Sequence, residues 1–346
     1  MNRLPNGFAG NIRPLCLMAG LSLLLSVFDA GCGTFIARRM AQAPNTYPQW
    51  LAPSAPVLIS FNESLLANSP ERFADVGPPP ARLSYRVVEP AEYHLKVIST
   101  KSVEQGDARY RFEFRGDIPR ANAWTSAPRG TVVLLHGYGL AEFAMAPWAF
   151  QLAQEGWRCV LVDLRGHGKS TGKMIYYGVV EARDMGQLLD VLKDRDQLAP
   201  PVAVIGDSYG AALALRWKTV DPRVGRVVAI APYGVLSDAT LNICRDYAKI
   251  LPQSLLRAGL RQLPAVLHVN ADDLDTTTVL ARHPVAALFV GGAGDNVVPV
   301  ADLRRLYSEA LPGSKLIVVP GATHETLPYH FGELVPPVLG WLGASE

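Results

Sequence analysis

The stretch that decides the fold is VAVIGDSYGAALALRW, Val202 to Trp217. Val202 to Ile205 form a short apolar run that reads as a strand buried on both faces, while Ala211, Ala212, Ala214, Leu215 and Trp217 continue as a helix. Ser208 therefore falls at a strand-to-helix turn. A turn that sharp strains its central residue and leaves no room for side chains two positions before and after, hence Gly206 and Gly210. It lifts the serine oxygen out of the sheet and aims the N–H of Tyr209 and the start of a helix at the same spot. These are the features of a nucleophile elbow. The pentapeptide alone is modest evidence, because average glycine and serine usage produces it by chance about 0.1 times in a chain of this length. A second match is in fact present. GKSTG, Gly168 to Gly172, follows DLRGH rather than a strand and precedes KMIYYG rather than a helix, so Ser170 is set aside. DLRGHGKS also ends like a phosphate-binding loop, but Asp163 stands where the first glycine is needed.

Outward from the elbow, short apolar runs alternate with helical stretches. The runs are TVVLL (131–135), RCVLV (158–162), VAVI (202–205), RVVAI (226–230), ALFV (287–290) and KLIVV (315–319). Between them lie helices such as Val179 to Lys193, with Ala182, Met185, Leu188, Leu189 and Leu192 on one face. The fold class is α/β: a mostly parallel sheet covered by helices on both sides. Residues 231–286 break the rhythm and read as a helical cap, about 233–283, over the strand ends where ligands of such sheets bind. Upstream, EYHLKVIST and ARYRFEFRG read as an antiparallel pair at the sheet edge.

The chain has 346 residues, 49% hydrophobic and 18% charged, enough for one large core with decoration. A formal net charge of +2 gives no basic field for nucleic-acid binding. Arg3 and Arg13 precede an uncharged apolar run, Leu15 to Phe28, which suits a secretory signal and is short for a membrane span. The following Ala30, Gly31 and Cys32 resemble the end of a bacterial lipoprotein signal, which would lipidate Cys32; Asp29 departs from that pattern. The expectation is a signal over 1–31, an extended proline-rich arm over 32–91, and a folded domain over 92–346. The protein would then be exported and tethered to a membrane of the cell envelope by its N-terminal lipid. Cys159 sits in a buried strand, and a disulfide framework is not expected.

A serine nucleophile needs a base, an acid to hold that base, and donors for the oxyanion. LLHGYG places His136 and Gly137 past the first parallel strand, with the N–H of Tyr138 beside that of Tyr209 as an oxyanion hole. His136 and Gly137 read as structural parts of that loop. FVGGAGDNVVP ends another strand with Asp295, and VVPGATHE ends the last with His324. Serine, acid and histidine in that order, each at a strand end, are far rarer together than the pentapeptide.

With HGYG, DLRGHGKS, GDSYG, GDNVVP and GATH in this order, the chain from about residue 92 resembles the α/β-hydrolase superfamily. It is most similar to the lysophospholipase and serine-aminopeptidase-like branch. The resemblance implies Ser208 as nucleophile, His324 as base, Asp295 as acid, and the backbone N–H groups of Tyr138 and Tyr209 as oxyanion donors. It implies hydrolysis of carboxylic esters, of small molecules or lipids, through an acyl-enzyme. The DLRGHGKS stretch reads as structural, shaping the active-site loop, with His167 as a candidate to line the pocket; Asp207 points elsewhere along the turn, as a group behind the site or at the surface. His268 and His283 read as surface or packing residues. No cofactor motif and no metal-site spacing is present. Two alternatives remain. A peptidase acting at N-termini would use a carboxylate to hold the substrate amine, with Asp272, Asp273 and Asp275 as candidates. A non-catalytic binding lipoprotein would keep only the fold. Arg245, Lys249, Arg257 and Arg261 read as a solvated face of the cap or as a membrane-facing surface.

Overall fold

The computed structural model describes residues 31–47, 57–61, 63–93, 95–104, 107–116, 126–247 and 252–344. The strands are β1 (Val57–Phe61), β2 (Arg72–Val76), β3 (Ala81–Val88), β4 (Lys96–Glu104), β5 (Asp107–Arg115), β6 (Thr131–Leu135), β7 (Arg158–Val162), β8 (Val202–Asp207), β9 (Val224–Ile230), β10 (Leu288–Gly292) and β11 (Lys315–Val319). The helices are α1 (31–41), α2 (Ala146–Ala153), α3 (Glu181–Asp194), α4 (Tyr209–Val220), α5 (Leu236–Tyr247), α6 (Gln253–Leu267), α7 (Thr276–Arg282), α8 (Val300–Ser308) and α9 (Phe331–Leu342).

Eight strands form one sheet in the order β11-β10-β9-β8-β6-β7-β3-β2. The six apolar runs of the sequence are its parallel strands, and the antiparallel pairings in this sheet are β2 with β3 and β3 with β7. Successive side chains of a strand point to opposite faces, and here both faces are covered. Val133, Leu135, Val160 and Val204 pack on one side with α3 and α4; Val132, Leu134, Leu161 and Ile205 pack on the other with α2 and α9. This is the α/β-hydrolase fold.

Two expectations are corrected. The segment assigned to an extended arm supplies β2 and β3, which close one side of the main sheet. Gly77 to Pro80 between them form a turn, clasped from α3 by Gln187, which accepts from the Gly77 N–H and donates to the Gly77 carbonyl, each at 2.7 Å. The hairpin β4–β5 does not edge that sheet. It joins β1 in a separate three-stranded sheet, docked by Phe112 against Tyr329 and by Phe114 against Phe331.

The DLRGHG segment after β7 is fixed by buried polar contacts. Arg165 and Asp184, both about 1% exposed, form a bidentate pair at 2.7 and 2.8 Å. Such a pair holds geometry more than it adds net stability, although losing one partner leaves an uncompensated buried charge. Asp163 accepts from the N–H groups of Glu142 and Lys169 at 2.7 and 2.8 Å. Ser170, the set-aside serine, is buried between Ser84 N–H and the Asp163 carbonyl.

Candidate active site

Ser208 stands between β8 and α4 with φ 50° and ψ −107°, a strained conformation for a residue with a side chain. The two glycines are required by close approach. A Cβ on Gly206 would lie 2.2 Å from the Gly210 carbonyl oxygen, and one on Gly210 would lie 2.3 Å from that of Leu135. The turn is pinned across the sheet by the Ser208 N–H donating to Ile230 O at 2.8 Å.

Two further strand ends converge on it. After β10, Asp295 Oδ1 accepts from the N–H groups of Val297 and Val298 at 2.8 and 2.7 Å, leaving Oδ2 to face the site. After β11, His324 lies in a loop laced to that of β10 by Gly294 N–H to Ala322 O, 2.9 Å. His324 Nδ1 and Asp295 Oδ2 are 2.9 Å apart, and His324 Nε2 and Ser208 Oγ are 2.9 Å apart. Since the carboxylate accepts the Nδ1 proton, the lone pair of Nε2 is left toward the serine hydroxyl. This arrangement can take a proton from Ser208 and return it to a leaving group.

The electrostatics favour that cycle. Burial disfavours a charged imidazole at His324, but the Asp295 hydrogen bond and charge, with the charge of Asp207, outweigh it and raise its pKa above the usual value. Of the two places expected for Asp207, behind the site or at the surface, the structure gives the first: it is buried beside the nucleophile. Burial raises it to about 7, against the attraction of His324, with repulsion from Asp295 and Glu325 adding to the rise. A base must be neutral, so kcat/KM should fall as pH drops through the raised His324 pKa. Asp207→Asn removes the share of negative charge that a carboxyl titrating near 7 still carries beside His324, and should move that acid limb to lower pH. Paired pH profiles of wild type and variant check this, and superimposable limbs would dismiss the coupling.

The loop after β6 lies against the elbow. A Cβ on Gly137 would come within 3.7 Å of Ser208 Cβ, and the next residue is Tyr138. Tyr209 is the first residue of α4, where a helix leaves its N–H groups without carbonyls one turn back. His136 is fully buried; its Nδ1 lies 2.8 Å from Gly137 O and its Nε2 accepts from Leu164 N–H at 3.1 Å. Burial lowers its pKa to about 4, which keeps it neutral. His167 does not line the cavity. It is buried behind Tyr138 and Tyr209, its pKa lowered to about 3 by burial and then by His136.

Ser208 opens into a cavity of about 370 Å³, within the range of small-molecule sites. The cap supplies part of its wall, with Leu236, Ile243 and Leu256, and Val297 and Val298 come from the Asp295 loop. A further wall comes from a segment the sequence reading missed. Ile36, Arg39 and Met40 of α1, with Tyr47, line the same space. Cys32 lies half-buried in α1; residues 1–30, with the signal-like run, lie outside the described residues. None of Asp272, Asp273 and Asp275 lines the cavity. Asp272 pairs with Arg282, Asp273 accepts from Asn270, and Asp275 accepts from the Leu236 N–H at 2.8 Å. His268 and His283 are exposed, as are Arg245, Arg257 and Arg261; Lys249 lies outside the described residues. Among the described residues no cluster of three or more His, Cys, Asp or Glu is placed to hold a metal ion.

A family model described as serine aminopeptidase, S33, matches residues 126–275, which include Ser208 and end before Asp295 and His324. An uncharacterized protein of Bacillus subtilis is 22% identical over 196 residues, 56% of this chain and 64% of the relative. An uncharacterized protein of Escherichia coli is 24% identical over 201 residues, 57% of this chain and 64% of the relative. The alignments thus span just under two thirds of these curated relatives. Among solved structures, an esterase of Pyrococcus furiosus superposes with a TM-score of 0.59 at 20% identity, covering 88% of this chain and 97% of that one. A thermophilic esterase from Thermogutta terrifontis gives 0.52 at 14% identity, covering 78% and 98%. At such identities the likeness speaks for the fold.

Proposed function

We propose that this chain, which has the α/β-hydrolase fold and matches the serine aminopeptidase, S33, model over residues 126–275, is a serine esterase acting on small or lipid-like carboxylic esters. The observation that carries the reading is the Ser208–His324–Asp295 hydrogen-bonded chain whose serine lines a largely apolar cavity. Ser208 Oγ attacks the ester carbonyl as His324 Nε2 takes its proton. The oxyanion is held by the N–H groups of Tyr138 and Tyr209, and the tetrahedral centre collapses to an acyl-serine as His324 protonates the leaving alcohol. Water activated by the same imidazole then releases the acid. Asp295 holds the Nδ1 proton and balances the imidazolium that forms in each step.

The S33 description raises the aminopeptidase alternative, which needs an anion to hold the substrate amine. The charge of the pocket favours the ester reading: among the described residues that line it, the charged side chain is Arg39, a cation, and no carboxylate takes part. Arginine repels an ammonium group. The experiment is hydrolysis of nitrophenyl esters of increasing acyl length beside amino-acid nitroanilides. Each methylene buried in the cavity contributes about 0.8 kcal/mol, so kcat/KM should climb by up to about fourfold per CH₂ until the space is filled. Rates independent of chain length would remove the cavity as acyl site, and faster nitroanilide turnover would favour the peptidase.

We further propose that the chain is exported and tethered through Cys32, a reading that rests on the sequence around that residue. Cys32→Ser should move the protein from the membrane fraction to the soluble fraction of its natural host. Unchanged fractionation would refute the lipid tether.

A further inference from the structure

We propose that Arg39 is the anion-recognition residue of the substrate pocket, so that the preferred ester carries a carboxylate or phosphate in addition to its scissile bond. This deepens the esterase reading of the same site and rests on it. The guanidinium lines the cavity into which Ser208 opens, among side chains that are aromatic, aliphatic or small and polar. It is oriented without being neutralised. Its face lies over the Tyr47 ring, with 5.1 Å from Cζ to the centroid, and its Nη1 donates to the amide oxygen of Gln42. Gln42 is fixed in turn by its Nε2 donating to Thr46 Oγ1 at 2.7 Å. A guanidinium has five N–H donors, and a neutral amide occupies one of them.

Other arginines of the protein meet carboxylates: Arg165 with Asp184, Arg86 with Glu142, Arg223 with Asp221 and Arg282 with Asp272. Arg39 has no such partner among the described residues. A cation facing an apolar, partly desolvated space gains most from an oxyanion delivered into it, because charge-assisted and bidentate bonds to guanidinium are strong and directional.

The segment that carries Arg39 is a built wall. Ala43 N–H donates to Lys173 O at 3.1 Å and Ile175 N–H to Ala41 O at 2.9 Å. The Tyr177 hydroxyl donates to Met40 O at 2.8 Å, and Asn45 Nδ2 donates to Ser170 O at 2.8 Å. The Tyr47 hydroxyl donates to the Arg39 carbonyl itself at 2.6 Å. Arg39 is therefore held at the pocket by contacts to the loop after β7 and to Tyr177.

The test uses the full chain and two readouts. In the first, nitrophenyl half-esters of dicarboxylic acids with increasing spacer length are compared with uncharged nitrophenyl esters of equal length. Wild type should prefer the half-ester by about tenfold or more in kcat/KM at one spacer length, and in Arg39→Gln that ratio should fall to about one. Arg39→Lys should keep part of it, as a point charge without the planar fork. In the second, calorimetry compares hexyl phosphate with hexanol on the same proteins and requires no turnover. Wild type should bind the phosphate at least about tenfold more tightly, and Arg39→Gln should lose that margin. A carboxylate preference in the first arm, or a phosphate preference in the second, that depends on Arg39 supports the proposal and identifies the group. Ratios that Arg39→Gln leaves unchanged in both arms overturn it. Absent turnover of every ester, with Arg39-dependent phosphate binding intact, would defeat the esterase reading and leave Arg39 as an anion site.

Discussion

Ser208→Ala should lower ester turnover by about 10⁴- to 10⁶-fold while the protein remains folded. The hydroxyl is the only atom group lost, and the site gives no substitute for it. Ser170, the other serine in a matching pentapeptide, is buried between Ser84 and Asp163. The backbone strain at position 208 is set by the turn between β8 and α4, which alanine can occupy as serine does, so stability should change little. Circular dichroism and a melting curve beside the kinetics separate chemistry from folding. The residual rate of the variant reports what the oxyanion donors and the cavity achieve without a nucleophile. A variant turning over at the wild-type rate would remove Ser208 from the reaction.

Asp295→Asn should cost about 10⁴-fold in kcat with nearly unchanged geometry. The reason lies in proton placement. Asp295 Oδ1 is already committed to two backbone N–H groups, and Oδ2 accepts from His324 Nδ1. An asparagine can keep its oxygen on the two backbone donors only by turning its NH₂ toward Nδ1. The imidazole then has to accept at Nδ1 and carry its proton on Nε2, where it faces Ser208 and no longer acts as a base. The charge that stabilises imidazolium is lost as well. If the variant loses less than tenfold, a different carboxylate supports His324, and Asp207, buried nearby, is the first to test by a double variant.

The strands were legible because parallel strands buried on both faces are continuous apolar runs, and all six runs are in the sheet. The elbow was legible because its glycine–serine–glycine spacing is local in sequence, although only the Gly206 contact, with the Gly210 carbonyl, lies within the turn and the Gly210 contact is with Leu135 on β6. Ser208, Asp295 and His324 were picked out because each follows an apolar run, and strand ends in such a sheet meet at one edge. What stayed hidden depended on packing between distant parts of the chain. Residues 72–88 looked like part of a tether because the run of three prolines at 78–80 continues the proline-rich stretch before it, although the alternation in ARLSYRVV was a strand signal. Asp207 looked peripheral because nothing in a sequence says what will cover a carboxylate. The α1 wall did leave a trace: Gly33, Ala37 and Ala41 fall at i, i+4 and i+8, one small-residue face of a helix. In the structure Ala37 and Ala41 are fully buried, and a Cβ on Gly33 would meet Ala258 O of α6 at 2.9 Å.

Covalent capture of the nucleophile tests the central claim most directly. The full chain is treated with an alkyl fluorophosphonate, which transfers its phosphonyl group to an activated serine with loss of fluoride, and the adduct is mapped by peptide mass spectrometry. One adduct, on the peptide that contains Ser208, with loss of ester turnover in proportion to labelling, is the predicted result. Turnover that persists without an adduct, or an adduct on another residue that tracks the loss of turnover, would contradict it.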